Sequence, residues 1–435
     1  MLPEKPVEVM VVGGGGREHA ICLKLSESSH VNTIFCAPGN GGTATCPKVQ
    51  NVDLRVDDFN GIAKFATDKE VALLVIGPDN PLADGIVDYL QAAGLRVFGP
   101  KKEAARLESS KSFAKDFMVK NGIPTARYFV ADSHRQAIEL VEEHDYLRVV
   151  KVDGLALGKG VFVCKDKQEV LHALKKIFRE HRFGKSGQRV VLEEKLVGQE
   201  LSLLMFCDGR RLVLMPASQD HKRRYDGDRG PNTGGMGVYA PVDLYSRCRS
   251  VIHEQLVKPL QKALDARSLD FKGVLFAGLL MVRNEKSREY KPYVLEFNAR
   301  FGDPETQAIL PLLRTDLFEI FWACTEGRLT GLNVEWSSES SCCVIACAKN
   351  YPDGSSQGQV IDIGSLPNDT IVYHAGTKLR EGNLVSAGGR VLGVTGIGSN
   401  LSEAIDKAYE GIQSVSFSDM DYRKDIGRRA LVGCP

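Results

Sequence analysis

Short apolar runs and helical stretches alternate along the first hundred residues. "VEVMVVG", "VNTIFCAPG", "VALLVIGP" and "LRVFGP" each end in Gly or Pro, and "REHAICLKLSES", "FNGIAKFATDK" and "LADGIVDYLQAAG" lie between them. That rhythm predicts a parallel sheet with helices on both faces. A single further helix is expected over "EAARLESSKSFAKDFMVKNG", stopped by Asn121 and Gly122 with Pro124 just beyond. The pattern then changes. "RVVKVDG" and "GVFVCK" straddle a Gly-rich connection, a helical stretch covers about 169–180, and "QRVVLEEKL" follows. The longer runs "LSLLMFCDG", "RLVLMPASQD", "GVLFAGLLMV" and "YVLEFNARFGD" read as an antiparallel sheet built from hairpins. From about residue 335 a third unit combines the strands "SCCVIACAK", "TIVYHAG" and "RVLGVTGIG" with a helix near 402–413.

Composition narrows the class. At 435 residues and a formal net charge of +1, the chain has room for two or three domains and mixes acids with bases. No basic block points to nucleic acid, and no apolar stretch approaches the roughly 20 residues that span a bilayer. Glu4, Lys5 and Glu8 precede the first apolar run, which does not read as a signal peptide. The 11 cysteines form no C-x-x-C pair. Cys342, Cys343 and Cys347 cluster without a nearby His, which favours buried thiols in a core strand over a zinc site. Free thiols in a chain of this size point to the cytosol.

The glycines at 13–16 close the first strand and open a helix, as in a dinucleotide site. Such a site also wants an acid at the end of the second strand. Cys36, Ala37 and Pro38 stand there instead. Free backbone N–H groups at a helix N-terminus, with Arg17 beside them, suit a phosphate that is not part of a dinucleotide. Close packing of strand on helix is the competing explanation.

The second glycine loop, "KVDGLALGKGV", resembles a P-loop but fails its template. Gly154 and the Gly158 of the Gly-Lys are one residue too close together, and Gly160 follows Lys159 where Ser or Thr belongs. It reads better as a flap on a β-hairpin, closing over a triphosphate, with Lys151 reaching in as a point charge. "VVLEEKL" offers a strand end for an adenine edge and Glu200 a carboxylate for ribose. A solvated face is the plainer account of Glu193, Glu194 and Glu200.

"VLEFNARFGDPE" carries the sharpest chemistry. Alternation in a strand puts Glu296, Asn298 and Arg300 on one face, with Leu295, Phe297 and Ala299 opposite. An acid and an amide oxygen suit Mg²⁺, and Arg300 can stabilise a transferring phosphoryl group. Asp303 lies just past the strand end.

In order, "GGGGREHA", "APGNGGT", "LESSKSFAKDFM", "KVDGLALGKGV", "SQDHKR", "GPNTGGMG", "EFNARFGDPE", "HAGTKL", "GGRVL" and "RKDIG" resemble the glycinamide ribonucleotide synthetase family of the ATP-grasp superfamily. The resemblance covers nearly the whole chain. It implies an α/β and α+β multidomain protein: a Rossmann-like parallel-sheet domain over 1–104, an ATP-grasp domain over 105–334 with a flap at about 126–196, and a small α+β domain over 335–435. It implies a C–N ligase of purine biosynthesis that joins glycine to 5-phosphoribosylamine with ATP and Mg²⁺ or Mn²⁺. Lys111 and Lys151 would hold the ATP phosphates under the flap glycines Gly154 and Gly158. Glu193, Glu194, Lys195 and Leu196 would frame the adenine, Glu200 the ribose and Asn232 the phosphate end. Glu296 and Asn298 would take the metal and Arg300 the catalytic role. Gly15, Gly16, Arg17, Glu18, Pro38, Gly39 and Asn40 would hold the sugar phosphate, with Asp220 and Asp303 also on the substrate side.

A cytoplasmic monomer is expected, without nucleic-acid or membrane partners; fusion to other purine-pathway domains occurs in some lineages of this family. Three departures stand out. Asp79 replaces the family's usual Glu, Leu157 replaces its usual Ala, and "RYDGD" (224–228) has no assigned role. A biotin carboxylase would want a further acid in "GVLFAGLLMV", which is wholly apolar. A non-catalytic ATP-binding module would show erosion at Lys151 or at the metal strand, and neither is eroded.

Overall fold

The run "VEVMVVG" becomes strand Val7–Gly13, the middle of a five-stranded parallel sheet, in a computed structural model that describes residues 2–156, 159–267 and 269–431. The order across the sheet is Val49–Asn51, Val31–Pro38, Val7–Gly13, Leu73–Ile76 and Val97–Phe98, with every pair parallel. Val9, Met10, Val11 and Val12 are fully buried, and helix Gly16–Ser26 packs against the central strands. Chain order reverses between Val7–Gly13 and Leu73–Ile76. In an open sheet of this kind the ligand crevice lies at the carboxyl ends of the strands flanking that reversal. Those ends carry the glycines at 13–16 and Gly77.

The single helix expected over 103–122 is instead two, Lys102–Ser109 and Lys111–Lys120. Ser110 is extended (φ −138°, ψ 109°), and its hydroxyl accepts the Phe113 N–H. A serine side chain satisfies an orphan N–H best at a helix start, so it breaks the run rather than continuing it. Asp153 fixes the break from outside, accepting from Ser112 N (2.6 Å) and Ser112 Oγ (3.0 Å).

Beyond the break, Tyr128–Ala131, Val190–Glu194, Leu147–Val152 and Val161–Val163 form an antiparallel four-stranded sheet. Helices His134–Glu143 and Lys167–Phe178 cover it, and it has a small core of its own around Val150, Val170, Leu174 and Leu192. The hairpin sheet expected downstream is present as Leu212–Leu214, Gln199–Asp208, Lys272–Arg283 and Tyr290–Asn298. The run "RLVLMPASQD", however, divides between two sheets. Leu212–Leu214 stays in this one, whereas Gln219–Asp220 pairs with Gly237–Ala240. That pair extends a sheet that continues through Ser340–Ala348, Arg390–Gly398 and Thr370–His374. One apolar core runs from the parallel sheet through both later sheets. Cys342, Cys343 and Cys347 are buried in it on strand Ser340–Ala348, their thiols pushed up by burial.

Candidate active site

Four regions meet at one cleft of about 960 Å³. From the parallel sheet come Arg17 and Asp79; from the flap sheet, Lys151, Glu193 and Glu194; from the hairpin sheet, Glu200, Glu296 and Asn298; and from the last sheet, Arg390.

At the parallel-sheet end, two loops touch. A Cβ at Gly14 would lie 2.5 Å from the Gly39 carbonyl oxygen, and Gly39 N donates to Gly13 O (3.1 Å), so close approach of backbone is what demands glycine at Gly14. Asn40 and Glu18, expected on the sugar phosphate, are engaged in bracing these loops. Asn40 donates to Gly14 O (3.0 Å) and His374 O (2.8 Å) and accepts from Gly42 N (2.8 Å) and Thr43 N (3.0 Å). Glu18 accepts from Gly15 N (2.6 Å), capping its own helix, and pairs with Arg17 at 2.5 Å. Arg17 lines the cleft; Gly15, Gly16, Pro38 and Gly39 do not line it, although Pro38 is exposed and Gly15 and Gly39 are half-buried. Asp79, left unassigned in the sequence, lines it too.

At the flap end the charged side chains Glu193, Lys151 and Lys115 are buried. Glu193 is 2% exposed, so it does not belong to a solvated face. Its Oε1 lies 2.9 Å from Lys151 Nζ and 3.1 Å from Lys115 Nζ. Lys151 also donates to Leu295 O (2.9 Å) and Lys115 to Thr125 Oγ1 (2.7 Å). Two ammonium groups on one carboxylate leave net positive charge facing the cleft, and burial with the Lys151 charge brings Lys115 down to about 8. Sequence reasoning missed Lys115. Its signal was the four-residue spacing from Lys111, which puts both on one helix face. Glu194 lines the cleft with its carboxylate paired to Arg127 (2.8 Å), and Lys195, Leu196 and Asn232 line it too. Gly154 packs on the Ser186 turn instead, and Gly158 and Leu157 lie outside the described residues.

Strand Tyr290–Asn298 keeps Glu296 and Asn298 on the cleft face and Phe297 in the core, as alternation requires. Leu295 departs from the expected opposite face. The pairing with Lys272–Arg283 slips between Val294 and Glu296, a bulge that turns Leu295 into the cleft lining and offers its carbonyl to Lys151. Arg300 lies past the strand end, held 2.7 Å from Glu108 and donating to Asn298 Oδ1 (3.2 Å). Burial works against charge on Glu296, but Lys222, Lys111, Lys151 and Arg300 hold its carboxyl below the ordinary value. An ionised carboxylate beside an amide oxygen fits a hard divalent cation. Lys222 was not foreseen; it stands 3.8 Å from both Glu200 and Glu296. Burial lowers it, but those acids outweigh burial and hold it above the usual lysine range.

Asp303 ties the two ends of the chain together. Its carboxylate meets Arg390 (3.1 Å) and Gln307 (2.9 Å) and accepts a long bond from Arg17 N (3.4 Å). Burial alone would raise it, yet Arg390 and Arg17 keep it below the usual carboxylate range. Arg390 also donates to Gly234 O (2.6 Å), fixing the loop after Asn232. Asp220 lines the cleft, buried.

A parallel sheet with a glycine loop at its carboxyl edge, a flap sheet on its own core and a strand presenting Glu296 and Asn298 to the shared cleft together define an ATP-grasp enzyme. The comparisons agree. Residues 7–108, 109–306 and 341–429 match the N, ATP-grasp and C domains of phosphoribosylglycinamide synthetase, and the chain belongs to that family of C–N ligases. A phosphoribosylamine–glycine ligase of Caldanaerobacter subterraneus is 44% identical over 97% of this chain and 99% of its own length. The human trifunctional purine biosynthetic protein adenosine-3 is 42% identical over 97% of this chain but 42% of its own length. The chain thus spans about half or less of its multifunctional relatives and nearly all of the single-function ones. The crystal structure of a Thermotoga maritima phosphoribosylamine–glycine ligase superposes with a TM-score of 0.80 at 34% identity, covering 97% of this chain and 100% of that one. A biotin carboxylase domain from Hydrogenobacter thermophilus shares the fold alone, at 13% identity and a TM-score of 0.73.

Proposed function

We propose that this chain joins glycine to 5-phosphoribosylamine, using ATP and releasing ADP and phosphate, in purine biosynthesis. The observation that carries this reading is the single cleft running from Arg17 to the Lys151, Glu193 and Glu296 end. It lets a sugar phosphate and a triphosphate approach one amino acid from opposite sides. Lys111 and Lys151 attract the ATP phosphates, the residues from Glu193 to Leu196 receive the adenine and Glu200 the ribose. Arg17 and the amides of the first loop receive the phosphate of phosphoribosylamine. The glycine carboxylate takes the terminal phosphoryl group of ATP. The amine of phosphoribosylamine then attacks the acyl carbon, and phosphate leaves. Arg300, steadied by Glu108, faces the charge that develops during transfer. A divalent cation, Mg²⁺ or Mn²⁺, held by Glu296 and Asn298 would neutralise phosphate charge there.

The ten cysteines among the described residues are buried and free, which supports a reducing, cytoplasmic setting. Among the described residues no helix is long and apolar enough to cross a membrane. We take the chain to act as a monomer. The test is phosphate release from ATP. Release that depends on both glycine and phosphoribosylamine supports the reading, and release that needs neither, or accepts bicarbonate instead, overturns it.

A further inference from the structure

Two stretches with no part in the proposed chemistry, "RYDGD" (224–228) and "RKDIG" (423–427), meet in the structure. The first forms the turn of a hairpin, Arg223–Tyr225 against Arg229–Asn232, which pairs with no other strand among the described residues. Its tip is exposed from Gly227 to Gly230. A two-stranded hairpin by itself is marginal in water, so its position has to be fixed from outside. Its base opens into the cleft. Thr233 N and Thr233 Oγ1 both donate to Lys222 O (2.8 Å each), and Lys222, Asn232 and Thr233 line the cleft.

The second stretch grips the tip. Arg423 is 2% exposed. Its Nε and Nη2 donate to Asp425 (2.8 Å each), and its Nη1 donates to Asp228 Oδ1 and Arg223 O (2.9 Å each). Asp425 Oδ2 accepts from Gly227 N (2.8 Å), and Asp226 Oδ1 accepts from Lys424 N (2.9 Å). Arg224, 1% exposed, closes the other side on Asp421 (2.7 Å) and Tyr351 O (2.8 Å). The gripping segment is itself tied to helix Leu401–Gln413, where the Tyr409 hydroxyl donates to Arg423 O (2.8 Å) and accepts from Ile426 N (2.9 Å). Burial works against charge on Asp425, but the Arg423 guanidinium and the Gly227 N–H hold it below the ordinary carboxylate range.

We propose that these two stretches form a clasp by which segment 421–429 holds the 222–233 hairpin in place over the cleft, with Arg423 as the central positioning residue. This rests on the ligase reading above, which puts the ATP phosphates at the base of that hairpin. A buried ion network is a weak source of net stability, because desolvation offsets most of the attraction. A forked guanidinium between two carboxylates is better suited to fixing geometry. Lys222, at one end of the hairpin, stands 3.8 Å from Glu200 and Glu296, and Asn232 ends the second strand, so a shift of the hairpin moves both at once. Arg423, Asp425 and Asp226 do not line the cleft and act on it through the hairpin.

The experiment compares Asp425→Asn, Arg423→Lys and Asp226→Ala in the full chain. Calorimetry measures binding of a non-hydrolysable ATP analogue with Mg²⁺, steady-state kinetics vary each substrate in turn, and a thermal scan gives the melting temperature. Asp425→Asn is expected to weaken the analogue about tenfold, the scale of one lost charge-assisted hydrogen bond. It should lower kcat about ten- to a hundredfold, as for slightly misplaced reacting groups. The phosphoribosylamine KM stays within about twofold, because Arg17 lies at the other end of the cleft. Arg423→Lys keeps the charge and loses the fork, so it changes the same constants by less. Asp226→Ala removes a single bond at the tip and weakens the analogue about threefold, which decides the matter if Asp425→Asn does not fold. Lower melting temperatures with analogue affinity and kcat unchanged, measured where every variant is folded, overturn the clasp as a positioning device. Equal rises in all three substrate constants overturn it in favour of general loosening. A wild-type chain that releases no phosphate overturns the ligase reading, and the analogue affinities then decide the clasp separately.

Discussion

The two ends of the cleft are built differently. At the flap end the sheet has its own core and reaches the rest of the chain through charge, with Glu193 between Lys151 and Lys115 and Lys151 bonded to Leu295 O. At the parallel-sheet end, proposed to take the sugar phosphate, the loops share the main core and are fixed by directional hydrogen bonds to the last sheet. His374 N donates to His19 Nδ1 (2.8 Å), and Asn40 takes the His374 carbonyl (2.8 Å). Burial drives His19 down to about 3 and His374 to about 4, so that joint is neutral. A module with few apolar ties can open and close, and ion pairs re-form when it does. A loop proposed to receive a phosphate gains from neutral, directional bonds that keep its geometry before the ligand arrives.

Between the two ends lies strand Tyr290–Asn298, proposed to hold the metal, and breaking it should have the largest effect. Glu296→Ala is expected to lower kcat by roughly 10²–10³ at saturating Mg²⁺, the scale for losing a preorganised electrostatic group. Near-wild-type turnover would remove Glu296 from the site. Circular dichroism should show the fold retained, since Glu296 lines the cleft and not the core.

Arg17→Ala tests the phosphate end by itself. The KM for phosphoribosylamine should rise about ten- to a hundredfold, the equivalent of about 1.5–3 kcal/mol, with ATP and glycine much less affected. If the ATP and phosphoribosylamine constants moved together, the two ends would not be separate sites. NAD binding that fell instead would restore the dinucleotide reading.

Lys115→Met tests the other end. Glu193 keeps Lys151 but loses half its compensation, so the expected loss is about 1–3 kcal/mol of stability, read as a lower melting temperature. The ATP KM should rise roughly tenfold, with phosphoribosylamine unmoved. A variant that melts lower but binds ATP as before would make Lys115 structural only.

The smallest effect belongs to Ser110→Ala, which removes the cap that starts the second helix. About 1 kcal/mol of stability should go, with a modest rise in the ATP KM because Lys111 stands directly after the break. An unchanged melting curve would mean that Asp153 alone holds the break.

Much of this was legible residue by residue. The parallel sheet follows from apolar runs ended by Gly or Pro. Ser110 carried the sign of a helix start inside what read as one long helix, and the competing helical periodicity hid it. The bulge at Leu295 left no comparable mark, because register depends on the partner strand. The burial of Glu193 was likewise invisible, since "LEEKL" has the composition of a surface segment.

Local periodicity and local chemistry belong to the sequence alone. Alternation placed Glu296 and Asn298 together, glycines marked both loops, and the missing acid after the second strand removed the dinucleotide. Encounters between distant segments were decided only by packing. Arg390 meets Asp303 from 87 residues away, Lys222 stands between Glu200 and Glu296, and Asp220 and Glu305 share a cavity. Each depends on how sheets stack and on which charges lose water in doing so, and a one-dimensional pattern carries neither.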